Sequence, residues 1–247
     1  MKMIILAAGK GTRLAPLTDS KPKCMVEYNS KPIIDRIMKT AFSCNIDNIA
    51  IVNGYKRSVL EEHLKGTSVN FFTNERFDKS NMVSTLFCAK DFMDDDLIIS
   101  YSDIVYRKEI LDLLKNNNDD FCVVIDRQWK KLWLQRTDDP LSDVETLRVR
   151  GGNIIEIGKK TDSYDDIEGQ YIGLLKISKK AIKEVVDFYE SLDENEVYDG
   201  TDYKNMYMTS FIQKIIDNVM DVKPLYIDGG WVEIDSISDL NSIMVTV

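Results

Sequence analysis

Short apolar runs alternate with amphipathic stretches along most of this chain, and that alternation restricts the fold more than any other feature. Met3–Ala7 reads as a buried strand, Pro32 opens a helix with apolar positions Ile33, Ile34, Ile37, Met38, Ala41 and Phe42, and residues 48–54 (NIAIVNG) read as a second strand. A helix over Ser58–Leu64, a strand over Val69–Thr73, a helix from Asn81 and a strand over Leu97–Ser100 continue the series. Strands separated by helices predict an α/β fold: a doubly wound, mixed, mainly parallel sheet flanked by helices, with right-handed crossovers. The second half is less regular. Its periods predict a helix over Lys108–Asn116, a strand over Cys122–Asp126, a polar insertion, a hairpin at Gly151-Gly152 and a strand over Tyr171–Ile177. Helices over Lys179–Ser191 and Thr209–Asn218, a strand over Val222–Ile227 and the stretch WVEID complete the core. No repeat, low-complexity tract or linker divides the chain, so a single domain over 1–247 is expected.

Several function classes drop out on composition. No apolar stretch approaches the roughly 20 residues that span a bilayer, and the opening run is too short for a signal-peptide core, so a cytoplasmic protein with no membrane partner is expected. Cys24, Cys44, Cys88 and Cys122 lie far apart with no CxxC pair, and His63 is the one histidine, which argues against zinc, a disulfide framework or a Ser-His-Asp mechanism. His63 sits at the end of a predicted helix, where a surface or capping role suffices. A net charge of −9 argues against a nucleic-acid partner. Residues 1–26 are the exception, with Lys2, Lys10, Arg13, Lys21 and Lys23 against Asp19 alone. A small cationic patch on an acidic protein suits a small polyanion.

Ligands of open parallel sheets bind at the carboxyl ends of strands, which directs attention to the loops after Ala7, Ser100 and Ile234. After the first strand, Gly9 and Gly11 allow a turn whose N–H groups face inward and can hold phosphate oxygens. A GxG alone is equally a plain tight turn. Leu14 stands where a dinucleotide fingerprint or a P-loop requires glycine, so neither applies. Arg13 and the Lys21-Pro22-Lys23 element add guanidinium and ammonium groups beside the turn, with Pro22 restricting the backbone between the lysines.

The stretch LAAGKGTRLAPLTDSKPK resembles the signature of nucleoside-diphosphate-sugar pyrophosphorylase-type nucleotidyltransferases, LAAGxGxR followed by a KPK-like element. The resemblance implies a GT-A-like fold and an enzyme that joins an NTP to a small phosphorylated acceptor, releasing pyrophosphate. It further implies that Leu6, Ala7, Ala8, Gly9, Lys10, Gly11 and Thr12 bind nucleotide and that Arg13 and Lys23 are catalytic. YSDI at 101–104 and WVEIDSISDL at 231–240 are similar to the family's two metal-binding elements, which implies Asp103 and Asp235 as Mg²⁺ ligands, with Ser102 at the nucleotide. Many relatives carry Gly or Ala where Ser102 stands. Each aspartate is equally placed to act as a plain helix cap.

KSNMVSTLFCAK at 79–90 resembles the choline-phosphate cytidylyltransferases of bacterial surface-glycan pathways and their relatives that act on phosphoglutamine or small phosphonates. That branch implies CTP as donor, Asn81 and Met82 over the cytosine, and a role in capsule or surface-polysaccharide decoration. The structural alternative for Asn81 is a helix cap. Residues 1–105 then form the nucleotide half and 106–247 the acceptor half, with a lid over about 127–170. In DRQWKKLWLQRTDD (126–139) Trp129 and Trp133 are four apart, on one face of a helix, fitting either packing on the body or a ligand. With Tyr171, Tyr203, Tyr207 or Trp231 they compose an aromatic box for an ammonium group. Trp129, Trp133, Tyr171, Tyr207 and Glu233 are the acceptor candidates, and Glu168 and Asp202 are further candidates to face an ammonium. A hexose-1-phosphate nucleotidyltransferase using UTP or dTTP and a non-catalytic nucleotide-sensing module are the alternatives. Monomer and homodimer both stay open.

Overall fold

Seven strands form the main sheet of the computed structural model, which describes residues 1–242. β1 (Lys2–Ala7) is followed by a short ladder of β2 (Glu27–Tyr28) with β3 (Lys31–Pro32), then α1 (Ile33–Ser43), β4 (Ile49–Asn53), α2 (Arg57–His63), β5 (Asn70–Thr73) and α3 (Met82–Phe87). Next come β6 (Leu97–Tyr101), β7 (Ile104–Tyr106), α4 (Lys108–Lys115), β8 (Phe121–Asp126), α5 (Trp129–Arg136), the hairpin β9 (Glu145–Arg150) and β10 (Asn153–Lys160), and β11 (Gln170–Ile177). The chain closes with α6 (Lys179–Ser191), the ladder β12 (Val197–Tyr198) and β13 (Thr201–Asp202), α7 (Met208–Asn218), β14 (Lys223–Ile227), β15 (Trp231–Glu233) and α8 (Ile237–Ser242).

The main sheet runs β14-β8-β11-β6-β1-β4-β5. β1 pairs in parallel with both β4 and β6, while β11 is antiparallel to β6 and β8. The chain winds from β1 out to β5 and returns to the other side of β1 at β6. The β1–β6 boundary is therefore a topological switch point, where the loops diverge and leave a crevice.

Helices cover both faces because the strands are apolar on both. α1 buries Ile33, Ile34, Ile37, Met38 and Ala41, the spacing of a single helical stripe. The isoleucines and Met38 each contribute about 1.5–3 kcal/mol when taken out of water. Phe42, expected in that stripe, lies at its edge and is exposed. On the other face α3, α6 and α7 bury Leu86, Val185, Phe211 and Ile212 against β1, β6 and β8 residues such as Ile4, Ile99 and Val123. Between Tyr171 and Leu175 the register of β11 shifts. Gly173 lies there at φ +81°, and a Cβ at that position would meet Tyr101 Cδ2 at 2.5 Å. Glycine is thus what lets the Tyr101 ring lie across the strand.

The sequence periods did not reveal β7 and β15, three residues each. Their antiparallel register pairs Trp231 with Tyr106 and Glu233 with Ile104, and Ile234 N–H donates to the Asp103 carbonyl (2.8 Å). That small ladder joins the segments carrying Asp103 and Asp235. All four cysteines are free, and no helix among the described residues is long and apolar enough to cross a membrane. His63 pairs with Asp35 on the surface (2.7 Å).

Candidate active site

Two adjoining cavities, of about 250 and 220 Å³, open over the carboxyl ends of β1 and β6. They meet at Arg13, Asn81, Met82, Tyr101 and Asp235, which line both.

The first cavity takes its floor from the end of β1 and the turn after it: Leu6, Ala8, Gly9, Gly11 and Thr12 line it, together with Lys23, Ser102 and Asp103. Gly11 adopts φ +67°, and a Cβ there would meet Lys23 Cβ at 2.8 Å. The turn and the lysine are thus packed too closely for any other residue. Two members of the expected set do not line the cavity. Ala7 is still within β1, buried and paired with Asn53, and the exposed Lys10 lies 5.6 Å from the Tyr55 ring. Asn81 lines both cavities, and its amide oxygen also accepts from Met82 N–H (2.9 Å) as the N-cap of α3. Phe77, Ser80, Thr85 and Tyr101 line the cavity without having been singled out in the sequence.

At the junction the Lys23 ammonium donates to Asp103 Oδ2 (2.7 Å) and Asp235 Oδ1 (2.5 Å), and Arg13 pairs with the other oxygen of Asp235. Burial opposes the lysine charge, but Asp103, Asp235 and Glu233 outweigh it and hold Lys23 above the ordinary lysine range. Neither aspartate caps a helix. Asp103 precedes a strand, and α8 is capped by Ser236 and Asp239, each accepting from the other's backbone N–H. Asp103 Oδ1 is buried with no hydrogen-bond partner. A buried carboxylate oxygen left bare costs free energy unless a cation or donor meets it.

The second cavity is walled by Tyr101, Trp133, Tyr171, Tyr207 and Trp231, with Glu145, Gln170, Arg136 and Glu233 among its polar groups. Four of the five acceptor candidates therefore face it. Trp129 does not: it is buried, edge-on to Trp133 with centroids 5.9 Å apart and 6.2 Å from Tyr164, so it packs the insertion together. Tyr203 stacks on Tyr189 instead (5.2 Å). Glu168 accepts from Val149 N–H and Asp202 from Asn205 N–H, and neither lines a cavity. The buried Asp126, unmarked in the sequence, accepts from Trp231 Nε1 (2.8 Å) and sets the orientation of that wall.

Glu145 is the acidic group that the sequence did not single out. Gln170 accepts from its N–H and donates to its carbonyl, which pins its backbone. Its carboxylate has one long hydrogen bond, from Thr209 Oγ1 at 3.4 Å, and no cationic partner among the described residues. Burial pushes its carboxyl up to about 7.

The chain matches the family described as "Nucleotidyl transferase" over residues 2–129, just over half its length. It is 49% identical to the CTP:phosphoglutamine cytidylyltransferase of Campylobacter jejuni, covering 97% of this chain and 98% of that one. It is also 31% identical to the choline-phosphate cytidylyltransferase of Haemophilus influenzae over 54% of this chain and 57% of the relative. Among solved structures it is similar to the CTP:phosphocholine cytidylyltransferase of Streptococcus pneumoniae, with TM-score 0.73 and 21% identity over 97% of this chain and 96% of that one. The inositol-1-phosphate CTP transferase of T. maritima superposes with TM-score 0.75 at 21% identity, covering 98% and 91%. A glycine turn packed on Lys23, two aspartates brought together by the β7–β15 ladder, and these similarities place the chain in the nucleotidyl transferase family.

Proposed function

We infer that the protein is a cytidylyltransferase that moves CMP from CTP onto a small phosphorylated acceptor bearing an amine, with phosphoglutamine as the acceptor. The observation that carries this reading is the 49% identity to a CTP:phosphoglutamine cytidylyltransferase along nearly the whole of both chains. An acceptor cavity lined by aromatic rings and carboxylates supports it, since both attract a cationic amine.

In this reading the Gly9–Gly11 turn and Arg13 hold the triphosphate of CTP in the first cavity, and the acceptor phosphate enters from the second. An oxygen of the acceptor phosphate attacks the α-phosphorus in line; the bond from α-phosphorus to the β-bridging oxygen breaks, and pyrophosphate leaves with that electron pair. The acceptor phosphate is already ionised near neutral pH, so no general base is required. Lys23 lies at the junction and offsets the repulsion between the two anions. Asp103 and Asp235 would hold Mg²⁺: they are hard oxygen donors, Asp103 Oδ1 is unpartnered, and this ion commonly takes one or two carboxylates plus substrate phosphates and water. When bound, it neutralises phosphate charge and makes the α-phosphorus a better electrophile. A cytoplasmic location, supply of an activated donor for surface-polysaccharide decoration and a homodimer are compatible extensions of this reading.

Four NTPs assayed against phosphoglutamine, phosphocholine, aminoethylphosphonate and glucose-1-phosphate, read as pyrophosphate released, test it. CTP is expected to exceed ATP and GTP by at least about tenfold in kcat/KM, or ~1.4 kcal/mol, with phosphoglutamine the best acceptor. A preference for a purine triphosphate would contradict the donor assignment, and a preference for glucose-1-phosphate the acceptor assignment.

Glu145 supplies a second expectation, with a definite sign. Its carboxyl titrates near 4.5 when unperturbed and at about 7 in the fold. Between those values the folded chain keeps a proton that the unfolded chain releases, so stability falls as pH rises through this window, and the loss is complete above about 7. Glu145→Gln removes the titration while keeping the shape. The variant is expected to melt higher than wild type at pH 8, with little difference at pH 4, and to raise acceptor KM with CTP KM unchanged. Equal melting differences at both pH values together with an unchanged acceptor KM would contradict the assignment.

A further inference from the structure

The last residue of α5, Arg136, is nearly buried, with 8% of its side chain exposed. Its guanidinium donates through Nη1 to Glu233 Oε2 (2.7 Å) and through Nε to Asp239 Oδ1 (3.0 Å). Asp239 is more deeply buried still, at 3%. Its other oxygen accepts the backbone N–H of Asp235 (2.9 Å) and of Ser236 (2.8 Å). An unbroken chain of bonds therefore runs from α5 through one carboxylate to the backbone that carries Asp235.

Capping α8 needs only Ser236 and Asp239, so the arginine is not required for that purpose. A buried ion network is also an expensive route to stability, because desolvation consumes much of its attraction and apolar side chains do as well. What the network offers is geometry. The guanidinium fork is planar and rigid, so Asp239 can hold its bond only while α5 is seated in one register. One turn earlier on α5, Trp133 lines the acceptor cavity, with its ring 5.2 Å from the Arg136 guanidinium. A single helical turn thus touches both the acceptor cavity and the support of Asp235.

We propose that Arg136 is a positioning residue: through Asp239 it couples the seating of α5 on the acceptor cavity to the orientation of Asp235, so that acceptor and divalent cation each tighten the binding of the other. This rests on the reading that Asp103 and Asp235 hold the cation and that the second cavity takes the acceptor. Such coupling is reciprocal by thermodynamic necessity. Asp239 is the informative position because Arg136 itself lines the acceptor cavity whereas Asp239 does not, so a change at Asp239 breaks the link without removing an acceptor contact.

The test is Mn²⁺ binding to the full chain, followed by electron paramagnetic resonance with a CTP analogue whose α,β-bridging oxygen is replaced by methylene, so that the phosphates are present but no turnover occurs, and with or without phosphoglutamine. In wild type the acceptor is expected to tighten Mn²⁺ by roughly fivefold or more, the lower range of measured couplings. Asp239→Asn keeps an oxygen for the Asp235 and Ser236 N–H groups but loses the ion pair. It should bring the coupling factor close to one, as should Arg136→Met; Arg136→Lys should fall between, and the double variant should be no worse than either single one. Folded Asp239→Asn that keeps the wild-type coupling would overturn the proposal, as would wild type whose Mn²⁺ affinity ignores the acceptor. Wild type that binds no Mn²⁺ at all would overturn it together with the metal reading beneath it.

Discussion

Asp103→Asn is expected to abolish turnover in a protein that still folds, and Asp235→Asn to do the same, each lowering kcat by roughly 10³-fold or more. Both substitutions keep size and hydrogen-bonding capacity but remove the charge that a hard cation prefers. Loss of fold is not expected, because neither side chain caps a helix and the β7–β15 ladder is held by backbone bonds and by Asp239. The two carboxylates meet at one ammonium, so their effects should not add: the double variant should be little worse than either single one. The check is kcat in parallel with Tm for the three variants. Unfolding with intact activity per folded molecule would make the aspartates structural.

Lys23→Ala should lower kcat by about 10²–10³-fold, the scale observed when one preorganised electrostatic group is lost. In the resting protein Lys23 also separates two carboxylates that share its ammonium, so the alanine variant leaves them facing each other in a poorly solvated site. Its Tm should therefore fall without divalent cation and recover more than that of wild type when Mg²⁺ is added. A variant with near-native kcat would remove Lys23 from the chemistry, and one whose Tm ignores Mg²⁺ would contradict the binding of the cation by the two carboxylates that Lys23 separates.

The strands and long helices were legible because their periods are long enough to register: α6 spans Lys179–Ser191 and the hairpin turns at Gly151-Gly152, as the pattern predicts. The first loop was legible because GKGTR and KPK are contiguous in sequence. β7 and β15 were not, since three-residue strands carry no period, and their pairing spans more than a hundred residues. Glu145, Gln170 and Tyr101 reach the cavities singly from strand ends, each with a neighbourhood in sequence that looks like ordinary strand. Trp129 and Trp133 share a helical face, yet only the tertiary position of α5 decides that one packs and the other lines a cavity. Asn81 fits both of the readings the sequence offered, since it caps α3 and also lines both cavities.

Attack on the α-phosphorus is the central claim, and isotopic labelling tests it directly. With phosphoglutamine as acceptor, label from CTP carrying ³²P at the α position is expected in the nucleotide-linked product, and label from the γ position wholly in pyrophosphate. Label from the γ position appearing on the acceptor would contradict the account, because it would make the protein a kinase acting at the other end of the triphosphate.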